Sequence, residues 1–141
     1  MASREPEESE FDPAGWSDGD AQRHLREGVR SFNAGDYETA HEQFERVWMS
    51  TQGSDSDFYK GLIQACIAMH HFQRGNLEGA SKLYAGHRRY LAAYRPRHLG
   101  IDVAALLDDM QRVLQPAVRR GTGDVPRFDV ESRPRIVCDA S

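Results

Sequence analysis

Apolar positions are densest between Phe58 and Phe72, and their spacing is helical. At 100° per residue, Phe58, Leu62, Ala65, Met69 and Phe72 share one face, while Tyr59, Ile63 and Cys66 fill the next. Only a narrow polar stripe remains, made of Lys60, Gln64 and His71 with Arg74 at its edge. A helix apolar almost all round needs neighbours on most sides, so roughly residues 56–74 are predicted to form a central helix.

The same period recurs on either side. Ala21, Leu25, Gly28, Val29 and Phe32 predict a helix over about 18–34, with Ser17 as its N-cap and a stop at Asn33 to Gly35. Tyr37, Ala40, Phe44, Val47 and Trp48 predict a second over about 36–49. After Gly75, Leu77, Ala80, Tyr84 and Leu91 mark a helix over about 76–93. Val103, Leu106, Leu107, Met110, Val113 and Leu114, capped by Asp102, mark the last over about 102–115, ended by Pro116 and Gly121. The expected fold is therefore all-α: a compact five-helix bundle of antiparallel helix pairs. Residues 1–15, acidic and poor in apolar groups, are expected to be a disordered tail. The helical domain is expected over 16–117. Residues 118–141 read as an irregular tail with one short extended candidate at Arg135–Cys138.

The chain echoes itself at an offset of 40 residues. Phe32, Gly35, Asp36, Tyr37, Ala40 and Phe44 correspond to Phe72, Gly75, Asn76, Leu77, Ala80 and Tyr84. Gly suits a tight turn between paired helices, Ala lets their backbones approach, and the aromatic residue packs one turn further on. The unit resembles a truncated tetratricopeptide-like repeat, although that repeat has a period of 34 and a leading Trp pattern missing here.

Composition narrows the picture. The 141 residues carry a net charge of -4 with a mean hydropathy of -0.70, which fits one water-exposed domain. No stretch approaches a membrane span, and MASREPEESE lacks the cationic start and apolar core of a signal peptide, so a cytoplasmic location is expected. Residues 1–20 hold seven acids against one base, Arg4, which leaves the rest of the chain net positive. No acid occurs between Glu78 and Asp102. Cys66 and Cys138 are too few and too far apart for a disulfide framework or thiolate zinc site.

Candidate chemistry centres on the second and third predicted helices. His41 falls inside an apolar arc with Glu45 one turn on, a spacing that lets both side chains meet one ligand. Gln64 and His71 share the polar stripe beside Lys60, and Trp48 borders His41. If the second helix packs on that stripe, His41, Glu45, Trp48, Lys60, Gln64 and His71 converge on one polar pocket. A divalent metal on His41, Glu45 and His71 is conceivable there, but two histidines and one carboxylate do not name it. His41-Glu42 followed by Glu45 lacks the second histidine of a zincin motif. Arg88, Arg89, Arg95 and Arg97 form a basic patch interleaved with Tyr90 and Tyr94, yet a chain acidic overall argues against a nucleic-acid partner. Nucleophile elbows and phosphate loops do not occur.

Phe32 to Glu42, then Glu45 and Trp48, then Gly61-Leu62-Ile63-Gln64 and His71 to Ala80 resemble the family called domain of unknown function 309. The resemblance spans roughly residues 20–115. It implies a compact all-α fold without an established activity, and groups His41, Glu45, Trp48, Gln64 and His71 as one signature. Two functions follow as expectations. The first is a small binding or scaffold module of unknown activity, with a protein partner or a second copy of the chain. The second is an enzyme or small-ligand or metal binder using the His/Glu/Gln cluster. Convergence of His41 and His71 would favour the second.

Overall fold

The computed structural model describes residues 18–51, 53–120 and 133–139. The acidic N-terminal run, the Ser17 cap and the Gly121 stop lie outside the described residues. Among the described residues, five α-helices are packed against one another: α1 (Asp18–Asn33), α2 (Tyr37–Ser50), α3 (Ser56–Gln73), α4 (Leu77–Leu91) and α5 (Val103–Arg120). Successive helices are neighbours, with α3 held between α2 and α4. The fold is an all-α bundle. Among the described residues, no helix is long and apolar enough to cross a membrane.

The 40-residue echo is a repeat of hydrogen bonding as well as of residue type. After α1, Gly35 takes φ 84° and Asp36 N–H donates to Ser31 C=O at 2.9 Å; after α3, Gly75 takes φ 80° and Asn76 N–H donates to His71 C=O at 2.9 Å. Both are left-handed glycine stops closed by a bond back across the last turn. The next residue caps the following helix each time. Asp36 Oδ1 accepts from Thr39 N–H at 3.2 Å, and Asn76 Oδ1 accepts from Gly79 N–H at 3.0 Å. Ala40 and Ala80 are then wholly buried where the paired helices approach.

Leu62, Ala65, Cys66 and Met69 of α3 are inaccessible to solvent, as expected of the central helix. Leu25, Val29 and Phe32 of α1 and Leu106, Met110 and Leu114 of α5 complete one continuous core with them. One boundary is corrected: α5 does not stop before Pro116 but continues to Arg120. Proline removes one backbone bond to the preceding turn, but its ring lies at the surface. Ala117, just beyond, is buried in the core, and that packing opposes the break.

Between α4 and α5 the chain makes a two-stranded antiparallel hairpin, β1 (Arg97–His98) and β2 (Ile101–Asp102). Its tip residues, Leu99 and Gly100, both have positive φ, as the tightest hairpin turns require. The segment 133–139, expected to be irregular, has little regular structure but docks firmly. Ile101 bridges Cys138, Asp102 N–H donates to Val137 C=O at 2.9 Å, and Asp139 N–H donates to Gly100 C=O at 2.8 Å. The Asn33 amide meets both backbone groups of Ile136, at 3.0 and 2.7 Å, and Ile136 is buried.

The two thiols are free, Cys66 buried and Cys138 half-buried within this docked segment. Burial pushes the Cys66 thiol well up; burial, then the Asp139 charge, raises that of Cys138. A maleimide at pH 7 should therefore label Cys138 slowly in native protein and Cys66 only after unfolding. Mass spectrometry of the native reaction checks this; early modification of Cys66 would contradict the placement of α3.

Candidate functional site

Most of the candidate residues prove to be joints between helices. Trp48, in the last turn of α2, donates its indole N–H to the Ser56 hydroxyl at 3.2 Å, tying α2 to the start of α3 across the loop. Gln64 faces α4 at Gly86, where an added Cβ would fall 1.9 Å from Gln64 Oε1. Glycine is needed there to let the amide lie against the α4 backbone.

His71 buttresses a cap. Asn76 Oδ1 is committed to the Gly79 N–H, so its amide nitrogen is the end that faces His71 Nδ1, at 3.1 Å. Nδ1 is then the acceptor and the ring proton sits on Nε2. The imidazole also packs on Gly79, where a Cβ would lie 2.8 Å from it. The His71–Asn76–Gly79 chain thus secures the first turn of α4.

Lys60 extends over the ring of Tyr90 on α4, with Nζ 5.2 Å from its centroid. His41 and Glu45 are 4.0 Å apart on α2, with side chains 35% and 49% exposed. A pair so accessible contributes about 0–1 kcal/mol.

These placements decide the convergence expected above. The polar stripe of α3 lies against α4, with Lys60 at Tyr90, Gln64 at Gly86 and His71 at Gly79. The expectation that α2 packs on this stripe is therefore corrected. His41 and Glu45 stay together on α2, while His71 is engaged by the α4 cap. Among the described residues, no three His, Cys, Asp or Glu side chains are grouped as a metal would need.

The basic segment is divided in the same manner. The Arg88 guanidinium donates to Leu107 C=O at 3.0 Å and lies over Tyr84, so it joins α4 to α5. Arg97 pairs with Asp139 and, at 3.7 Å, with Asp102, so it secures the docked C-terminal segment. Arg89 and Arg95 are exposed, and the Arg89 guanidinium sits 5.5 Å from the Tyr90 centroid.

Several interacting side chains carry no local sign in the sequence. His98 Nε2 and Asp55 Oδ1 are 2.8 Å apart, and the His98 ring sits 4.7 Å from those of both Phe58 and Tyr94. Asp109 accepts from Arg135 N–H at 3.1 Å. His87 is fully buried on α4, its Nδ1 against Tyr84 C=O and its Nε2 without a partner among the described residues. Desolvation lowers its pKa to about 4. An open depression along Asp108, Gln111, Arg112 and Gln115 of α5 shares no residue with the candidate set.

Residues 25–83 match the sequence model of the family described as Domain of unknown function (DUF309), which bears out the resemblance read from the residues. Over 60 residues the chain is 37% identical to an uncharacterized protein of Aquifex aeolicus, a match covering 42% of this chain and 18% of that protein. No solved structure matches the chain. The family match takes in His41, Glu45, Trp48, Lys60, Gln64 and His71 and leaves out the arginines from Arg88 onward.

Proposed function

We propose, for a chain matching a family of unknown activity over residues 25–83, a binding module that docks a partner segment on the outer face of α3. The supporting observation is the incomplete cover of Ile63 and Ile67. Both are half-buried on a helix whose opposite face is sealed. By helical geometry, Lys60, Ile63, Ile67, His71 and Arg74 fall within about a quarter turn of one another, opposite Leu62, Ala65 and Met69. Neighbouring α2 and α4 would form the walls of a shallow groove with an aliphatic floor and a polar rim. His41, Glu45 and Trp48 would belong to the α2 wall, and Gln64 and His71 to the α4 side. Stacked helix pairs of this kind suit the uptake of an extended or helical segment.

A random twelve-residue peptide library panned on the full chain tests the reading. Enriched peptides should lose at least tenfold in affinity on Ile67→Glu, a substitution at a half-exposed site that should leave the helical circular dichroism intact. Peptides that bind the two proteins equally, or no enrichment over the variant, would remove α3 as the docking face.

A further inference from the structure

Lys60 and Arg89 come from different helices and meet on the same ring. Their charged groups lie 5.2 and 5.5 Å from the Tyr90 centroid. Neither takes part in an ion pair among the described residues, although acids outnumber bases in the whole chain, 22 to 18. Both cations are brought to one partly exposed tyrosine, whose ring attracts each but supplies no full countercharge. Carboxylates reaching these two cations would supply the missing countercharge and charge-assisted hydrogen bonds. Lys60 stands one helical turn before Ile63 and Gln64, so this corner closes one end of the aliphatic floor on α3.

We infer that the Lys60–Tyr90–Arg89 corner binds the carboxylates of an acidic segment from another protein, whose apolar residue is seated on Ile63 and Ile67. The inference rests on the docking face proposed above and adds the chemistry of the partner. Charge complementarity selects an acidic segment. The floor selects protein over nucleic acid, because isoleucines bury aliphatic side chains but offer no ring for base stacking, and the Tyr90 ring is already attended by two cations.

The test uses peptides enriched on the full-length protein, synthesised with a fluorescent label and titrated by anisotropy. The enriched set should carry an excess of Asp and Glu beside Leu, Ile, Phe or Trp. Affinity should fall at least tenfold on Lys60→Glu/Arg89→Glu and at least threefold on the milder Lys60→Gln/Arg89→Gln. It should also weaken steeply between 50 and about 300 mM NaCl, as exposed charge pairs are screened. Both positions reach the surface, and unchanged thermal melting would confirm that the variants fold. Peptides without an acidic excess that still depend on Ile67 would overturn the inference and leave the α3 face standing. Peptides indifferent to Ile67 would remove both. A labelled uridine oligonucleotide that binds more tightly than the peptides, and loses affinity on Lys60→Glu/Arg89→Glu, would reassign the corner to phosphate.

Discussion

Acidification from pH 7 to pH 4 should cost the fold about 3 kcal/mol through His87 alone. In the unfolded chain this imidazole takes up a proton near pH 6.5, but in the bundle only near pH 4. Burial is the main cause. The ring has no solvent contact, Nε2 has no acceptor among the described residues to which a second proton could be donated, and the adjacent Arg88 adds repulsion; the Nδ1 bond to Tyr84 C=O acts the other way and offsets only part of this. Between the two pH values the unfolded state binds more protons, so stability falls as pH falls and levels off below about 4. Carboxylates titrate in the same range, which makes the variant His87→Leu the required reference. Urea melts of both proteins at half-unit steps should show the native chain losing stability relative to His87→Leu as pH drops. Curves that stay parallel from pH 7 to 4.5 would mean that His87 is reached by water or by an acceptor.

Replacing Leu62 by Ala should destabilise the bundle by about 2–5 kcal/mol, the range for deleting a fully buried leucine from a core that relaxes incompletely. Leu62 is wholly inaccessible, and its neighbours along α3 on the same face, Phe58, Ala65 and Met69, are equally buried. With α2 on one side and α4 on the other, neither helix can move in without giving up contacts elsewhere. The two α3–α4 joints at Gln64 and His71 further limit collapse of the space. In a domain of this size the melting temperature should fall by roughly 4–20 °C, at about 2–4 °C per kcal/mol. A loss under about 1 kcal/mol by urea titration would place Leu62 outside the core.

The sequence by itself determined what depends on local periodicity. Five amphipathic segments, the all-round apolar character of α3, and the Gly-Asp and Gly-Asn punctuation at an offset of 40 each follow from neighbours a few residues apart. Those spacings sufficed to place the helices, the turns at Gly35 and Gly75 and the cap at Asp102, while the capping bonds of Asp36 and Asn76 are findings of the structure. They misjudged Pro116, because whether a helix survives a proline depends on what the next turn buries, and Ala117 is buried by distant residues. The candidate site divides along the same line. That Lys60, Gln64 and His71 share a stripe was legible from the period. Which helix covers that stripe was not, since α2 and α4 are both adjacent in sequence and both connected by short turns. Only the tertiary structure set Gly86 beneath Gln64 and Gly79 beneath His71, and so turned the stripe toward α4. The same holds for Asn33 with Ile136 and for Asp55 with His98. These partners lie 103 and 43 residues apart, and no local pattern encodes a pairing across that distance.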